Sequence, residues 1–304
     1  MANSGRMITG SIPKDLLYVV DKTITHWDSV YPVVEEMLFT KVNADKGFYE
    51  MMQLAGMGPA AQTTESNTVL NYDSVDQDWN RFWTIFEYSK SARLSKNAVA
   101  DNIARDLIPL ASQEIVKSLK QNRGSEMANI LNRAFNSSYT GADGKVLCAT
   151  DHPIQYGGTS TNTPTSHVDL SEDALEEMLI LADGVINPDG FKSEYSAKYL
   201  VVPNALQFEA CRILQSSGQT ASANNDINAI HRMGRIKDYV VLKRLTSATK
   251  YFITTDAPNC LMLAQRNGIE KQMFNDPYTR DIIITASERF RTFFADWRGI
   301  VGSS

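Results

Sequence analysis

The opening of the chain shows no sustained hydrophobic periodicity. One short apolar run lies between Leu16 and Val20, and Asp45-Lys46-Gly47 interrupts the segment. Gly56-Met57-Gly58-Pro59 then ends it, because glycine and proline favour turns over regular structure. Residues 1–57 are therefore predicted to form an N-terminal arm, with Gly56 and Gly58 as flexible joints at its end.

Two extended runs separated by a polar stretch follow the arm. The first run, Thr63–Leu70, is rich in Thr and Val, and the second, Phe82–Ser89, places Phe82, Phe86 and Tyr88 at even spacings. Side chains at even spacings share one face of a strand. The pattern predicts a long β-hairpin with an aromatic face.

This hairpin, predicted over residues 58–94, needs a surface to pack against. A two-stranded hairpin alone is only marginally stable in water. The pattern leaves two alternatives open: the hairpin packs on its own subunit's core, or it packs on a neighbouring molecule.

A helical pattern occupies about 97–136. Apolar residues recur there every three or four positions, at Ile103, Leu107, Leu110, Ile115, Leu119, Met127, Ile130 and Leu131. Pro109 is expected to kink the helix or to mark its first turn. Gly124 interrupts the pattern, so we predict a break or bend there and treat Gly124 as a third flexible joint.

Residues 137–170 are rich in Gly, Ser and Thr and predict a long functional loop. Alternating helices and strands follow. Ser171 is a predicted N-cap for a helix that ends at Gly184, and a second helix is predicted after Pro203. Strands are predicted at 199–202, 239–242, 251–254 and 260–264, with a β-prone terminal segment at 281–297. The predicted fold class is α+β.

The composition of the chain limits the classes of protein to which it can belong. Of the 304 residues, 43% are hydrophobic and 21% charged, which allows a sizeable core. The net charge of -5 does not indicate a nucleic-acid-binding protein, although a mildly acidic wall is compatible with a container that encloses nucleic acid. No apolar run approaches the roughly 20 residues of a membrane span. The opening residues lack a signal-peptide pattern, so we expect synthesis in the cytoplasm.

Candidate chemistry is sparse. Cys148 and His152 lie close enough in sequence to suggest a nucleophile and its base, but catalytic pairs usually meet through the fold. A turn at Asp151-His152-Pro153 is the simpler interpretation. The four histidines and three cysteines show no metal-ligand spacing, and no phosphate-binding glycine motif occurs. We therefore predict a protein that is not an enzyme and has no cofactor.

Large aromatic residues are the most informative feature that remains. Aromatic side chains anchor both protein cores and protein interfaces, and both roles stay open for each residue. The candidates for contact between subunits are Trp79, Phe82, Trp83, Phe86 and Tyr88.

Several short motifs carry a family resemblance through their order and spacing. They are Asp143-Gly144-Lys145-Val146-Leu147, His152-Pro153, Gly157-Gly158-Thr159, Asn162, Leu170–Leu175, Tyr199–Leu206 and Phe294–Gly299. Over residues 60–304 the chain resembles the major capsid proteins of tailed bacteriophages, which have the Hong Kong 97-type fold. Within them it is most similar to Mu-type major head subunits.

The resemblance implies a domain for each segment. Residues 58–94 would be an extended loop that lies over a neighbouring subunit, and 95–170 a peripheral domain with a spine helix and connecting loop. Residues 171–280 would be an axial domain, and 281–304 a terminal β segment that returns to the peripheral domain.

The resemblance also implies partners. The chain would form pentamers and hexamers of an icosahedral shell in the virion, assembled in the host bacterial cytoplasm. The shell would enclose double-stranded DNA without sequence-specific binding, with a scaffold protein and a portal as partners and a decoration protein as an optional one. The alternative is an encapsulin-like compartment that encloses protein cargo.

Overall fold

The computed structural model describes residues 12–58, 60, 74–95, 97, 104–154, 157–166, 169–218, 227–279 and 281–304. The chain divides into two compact units, each made of three stretches. The first unit comprises Met1–Val34, Ile85–Ser125 and Gln265–Phe290, and the second comprises Glu35–Thr84, Glu126–Ala264 and Arg291–Ser304. Helices and strands occur in both, as the predicted α+β class requires.

The first unit packs two helices on a sheet. Helix α1 (Ile12–Val30) and most of helix α2 (Ala104–Asn132) face strands β4 (Phe86–Leu94), β10 (Leu261–Asn275) and β11 (Ile282–Phe294). Strand β4 pairs antiparallel with β11, and β10 is the other neighbour of β11. The buried core residues are Val20, Ile24, Ile108, Ile115, Val116, Leu119, Ile284 and Ala286.

The second unit contains a four-stranded sheet in the order β12-β9-β7-β8. Its strands are β7 (Ala197–Pro203), β8 (Asp238–Leu242), β9 (Tyr251–Thr255) and β12 (Ile300–Ser303). Strands β7 and β8 are parallel, and the other two pairings are antiparallel. Buried residues fall into one cluster with helices α3 (Glu172–Gly184), α4 (Gln207–Gln215) and α5 (Ala229–Met233), and another with the end of α2.

Several predictions in this region are confirmed. Ser171 is the N-cap of α3, and its side chain accepts a hydrogen bond from the Ala174 amide. The three predicted short strands correspond to β7, β8 and β9, and the terminal segment forms β11. The strand predicted at 260–264 is the start of the much longer β10. Among the described residues of the predicted loop at 137–170, only the two-residue strands β5 (His152–Pro153) and β6 (Thr159–Ser160) form.

The hairpin that the structure describes joins different segments from the predicted one. Strand β3 (Asp76–Thr84) pairs antiparallel with β2 (Phe48–Ala55), which lies inside the segment predicted as the N-terminal arm. The run Thr63–Leu70 lies outside the described residues. The face predicted to join Phe82 with Tyr88 was wrong, because β3 ends at Thr84 and β4 pairs with β11 instead. A short strand β1 (Thr40–Asn43) precedes the hairpin and neighbours β10.

The predicted break at Gly124 was also wrong. Helix α2 continues through Gly124 and ends at Asn132. A glycine within a helix costs only about 1 kcal/mol relative to alanine, which tertiary packing offsets. Pro109 lies inside the helix rather than in its first turn, and the Ser112 hydroxyl donates to the Ile108 carbonyl at 2.8 Å beside it.

A buried ion pair joins α2 to the sheet of the first unit. The Arg123 Nε donates to Glu288 Oε2 at 3.1 Å, and both side chains are almost fully buried. Burial raises the pKa of Glu288, and the Arg123 charge acts in the opposite direction. A buried carboxylate that loses its cation is strongly destabilising, whereas an apolar replacement of the whole pair is often neutral.

We predict that Arg123→Met lowers the free energy of unfolding by about 3–5 kcal/mol at pH 7. The loss should be smaller near pH 4. A carboxyl whose pKa is raised on folding binds more protons in the folded state than in the unfolded state. The free energy of unfolding therefore falls as pH rises from the unfolded pKa of Glu288 through its raised folded pKa. Removal of Arg123 steepens this fall. Urea unfolding of the unassembled chain at both pH values measures this. Arg123→Met with Glu288→Met should recover most of the loss; a double variant as unstable as the single one contradicts the interpretation.

Candidate functional site

The β2–β3 hairpin has two different faces. Its inner face carries Tyr49, Met51, Trp79 and Trp83, which pack with Met262, Ala264, Phe293 and Ala295. The Trp83 ring stacks on Phe293 with ring centres 4.1 Å apart and an angle of 19° between planes. Trp79 meets Trp83 edge-on at 6.3 Å. The inner face is therefore fixed to the core of its own subunit.

The opposite side of the hairpin, the outer hairpin face, is exposed and largely apolar. It is formed by Phe48, Met52, Leu54 and Phe82, with exposed fractions of 38%, 55%, 52% and 56%. The Phe48 and Phe82 rings meet edge-on at 5.6 Å. Glu50, opposite Phe82, and Asn80, opposite Met52, supply the polar groups between them. A row of exposed apolar side chains on a ribbon is typical of an interaction surface.

The five predicted contact residues separate into two groups. Trp83 is only 7% exposed, Trp79 is half-buried beside it, and Tyr88 stacks on Phe290 in the first unit at 4.7 Å. Phe82 and Phe86 are exposed. Sequence reasoning missed Phe48, Met52 and Leu54, because β2 has apolar side chains on both faces and so gives no alternating signal.

The predicted joints also differ in surroundings. A side chain at Gly56 would place its Cβ 3.1 Å from the Cβ of Asp189, so the backbone approaches that residue closely. Gly58 is half-buried, and Gly124 is buried within α2. Only Gly56 and Gly58 lie in irregular backbone.

The enzyme-like pair does not form. Cys148 is buried, and burial raises the pKa of its thiol far above the usual value. Its sulfur packs so closely on the terminal strand that a Cβ at Gly302 would lie 2.7 Å from it. His152 is turned to other partners: Nδ1 lies 2.6 Å from Asp143 Oδ2, and Nε2 lies 3.2 Å from Asn162 Oδ1. A protonated, buried thiol without a base is a packing residue rather than a nucleophile.

Asn162 is the centre of a buried polar cluster. Its Nδ2 donates to the carbonyls of Leu147 at 2.7 Å and Ile300 at 2.9 Å, and its Oδ1 accepts from the Ala149 amide at 2.9 Å. The His152 ring stacks on Trp297 at 4.0 Å with planes 7° apart. These contacts fasten the start of β12 to the loop after α2.

This cluster explains why separate motifs carried the resemblance. Asp143, His152, Asn162 and Trp297 each come from a different motif, and the fold brings them into contact. The polar groups of Asp143, His152 and Asn162 bond to one another or to backbone groups. The cluster therefore holds the fold together and leaves no reactive group exposed.

Among the described residues, no group of three or more His, Cys, Asp or Glu side chains is placed to hold a metal ion. In the same part of the chain, no helix combines the length and apolar character that crossing a bilayer requires.

Comparisons with known proteins agree with this geometry. The sequence profile of a family described as "Phage capsid protein" matches residues 81–303. No curated protein matches the chain in sequence. Solved structures match it in fold at low sequence identity.

Three of these structures illustrate the match. The virus-like particle from Pyrococcus furiosus has a TM-score of 0.56 at 12% identity, over 94% of this chain and 98% of that one. The capsid of a native GTA particle has a TM-score of 0.58 at 12% identity, over 89% of each chain. The procapsid of bacteriophage JBD30 has a TM-score of 0.54 at 12% identity, over 98% of this chain and 76% of that one.

The fold is thus the Hong Kong 97-like fold of phage capsid subunits, as predicted. The fold alone does not give a function. The family profile gives it, and the function is that of a major capsid protein. Because the profile covers well over half of the sequence, the chain belongs to the phage capsid protein family.

Proposed function

We propose that copies of this chain assemble into a closed icosahedral shell, and that the outer hairpin face is buried against a neighbouring copy. The observation that supports this proposal is the exposed row of Phe48, Met52, Leu54 and Phe82 on a ribbon whose other face is already packed. Burying a large apolar side chain contributes roughly 1.5–3 kcal/mol. Four such side chains repeated around a shell supply a substantial part of an obligate interface.

A second copy is the occupant that fits best. A symmetric shell reuses one surface of the chain in many near-equivalent contacts, so a modest apolar face on each copy is multiplied by the lattice. Phe86, exposed at the start of β4, is a further contact candidate in the first unit.

The remaining parts of the proposal rest on the family resemblance. Pentamers and hexamers would form with residues 171–280 as the axial domain and 95–170 with 281–304 as the peripheral domain. The likeness to Mu-type head subunits belongs here too. The shell would enclose double-stranded DNA, assemble in the host cytoplasm, and use scaffold, portal and decoration proteins. The net charge of -5 suits a wall that does not grip the DNA.

Flexible joints at Gly56, Gly58 and Gly124 would let one sequence adopt the slightly different shapes that a closed shell requires. Gly124 directly precedes Ser125, where one stretch of the first unit ends along the chain. Glycine lowers the cost of bending a helix. Superposition of the independent subunits in a shell tests this, because identical backbones at these positions would contradict it.

An encapsulin-like compartment is the second candidate. The fold match to the virus-like particle from Pyrococcus furiosus supports this second candidate. The two functions differ in content, since one encloses DNA and the other protein cargo.

We predict that the purified full-length chain forms closed particles visible by negative-stain electron microscopy. Nuclease-protected DNA in particles from infected cells would support a shell that encloses the phage genome. A co-purified enzyme would support an encapsulin-like compartment. A chain that stays monomeric at every protein and salt concentration contradicts both.

We predict that Phe82→Glu reduces the fraction of chain found in particles at least about tenfold, because a carboxylate would have to be buried at the interface. Met52→Glu, on the other strand of the same face, should act in the same direction. Phe82→Leu, which keeps the position apolar, is the matched control and should assemble close to normal. Gradient sedimentation measures the particle fraction, and thermal unfolding of the free subunit checks that the fold is intact. Normal assembly of both glutamate variants would show that this face is not a contact.

A further inference from the structure

A cavity of about 240 Å³ lies under the inner face of the hairpin, within the second unit. Aromatic rings form much of its wall, namely those of Trp83, Tyr139, Phe293 and Phe294. Ser138, Thr140 and Thr292 contribute hydroxyl groups near its rim. The volume of the cavity is several times the roughly 30 Å³ that a water molecule occupies in the liquid. The cavity is therefore larger than a single carboxylate group requires.

The charged side chains of this cavity are unbalanced. Arg81, Arg133 and Arg291 line it, and Glu126 is its one acidic lining residue. Three guanidinium groups and one carboxylate make the lining mainly cationic. Guanidinium groups do not lose their protons at any physiological pH, so their positive charges are permanent.

Two of these arginines are held by neutral partners. Arg81 Nη1 donates to the Thr140 carbonyl at 2.9 Å and also to the Gly141 carbonyl. The Arg133 guanidinium lies over the Tyr139 ring, 4.3 Å from its centre. Within the part of the chain that the structure describes, neither one forms an ion pair with a carboxylate. Their positions are fixed while their charge stays available.

A preorganised pair of guanidinium groups in a partly apolar cavity matches an oxyanion. Planar guanidinium donors recognise carboxylate and phosphate oxygens, often with two hydrogen bonds. Because carbonyl and ring contacts already orient Arg81 and Arg133, little conformational entropy is lost on binding.

We propose that this cavity is an oxyanion-binding pocket, and that in the assembled shell it receives a carboxylate side chain from a second copy of the chain. Charge complementarity favours this source: the chain has 35 acidic and 30 basic residues, so a neighbouring copy presents an excess of carboxylates. Arg81 and Trp83 flank Phe82 along β3 but lie on the opposite face of the ribbon, and the inference rests on the shell assembly proposed above.

The first test uses the full-length chain and measures particle yield by gradient sedimentation. Arg133→Gln should lower the yield and Arg133→Glu should lower it further, by at least about tenfold relative to wild type, since the latter adds repulsion. Lys192→Glu makes the same charge change at an exposed position of the second unit outside the pocket and serves as the matched control. Equal effects of the Gln and Glu variants at all salt concentrations would indicate loss of the Tyr139 contact alone and overturn the proposal.

The second test does not depend on assembly. Inorganic phosphate, compared with chloride at equal ionic strength, should raise the unfolding temperature of the free wild-type subunit by about 2 °C at several times its dissociation constant. The shift should disappear in Arg133→Gln and persist in Lys192→Glu. No shift in wild type, or the same shift in all three proteins, would overturn the oxyanion pocket even if the shell forms normally.

A density map of wild-type particles decides the occupant. A glutamate or aspartate of a neighbouring copy in the pocket supports the proposal, and a charge swap between that residue and Arg133 should restore assembly. A phosphate of packaged nucleic acid or a free anion in its place would overturn the assignment to a second copy. If wild-type chain forms no particles while phosphate still binds, the proposed shell function fails and the anion pocket stands.

Discussion

The stacking of Trp83 on Phe293 is the contact on which the arrangement of the hairpin depends. It fixes one face of a two-stranded ribbon to the core of its own subunit. Side chains alternate strictly along a strand, so fixing Trp83 inward forces Phe82 outward. The exposure of Phe48 and Met52 then follows from their register with β3, and Leu54 continues the exposed face beyond an irregularity in the pairing after Gln53. One aromatic contact therefore decides which apolar residues stay available to another molecule.

Local features of the fold were predictable from the sequence, and pairing between distant segments was not. The Ser171 cap and the strands at 199–202 and 251–254 depend on neighbouring residues, and the structure contains them. The strand that pairs with β3 could not be predicted from neighbouring residues. Strand β2 has apolar side chains on both faces, so it lacks the clear alternation of a half-buried strand. Its pairing is set by contacts with Met262 and Phe293, far along the chain.

The candidate site shows the same limit. Aromatic residues around position 82 were identified as interface or core, and only the fold separates Phe82 from its buried neighbour Trp83. Proximity in sequence also misled for Cys148 and His152, because His152 turns toward Asp143 and Asn162. The Asn162 bonds to the Trp297 and Ile300 carbonyls join segments 135 and 138 residues apart. No spacing rule reaches over that distance.

Strand β3 joins these features physically. Phe82 lies on its outer face, while Arg81 and Trp83 lie on its inner face beside the arginine-lined cavity. A slip of one residue in its pairing with β2 would exchange the two faces, placing Arg81 and Trp83 in solvent and Phe82 under the ribbon. Both the stacking on Phe293 and the Arg81 bonds to Thr140 and Gly141 oppose such a slip. The register that keeps the subunit core closed is therefore the same register that presents an apolar surface outward and a cationic cavity beneath it, so changes in the strand that disturb one surface will disturb the other.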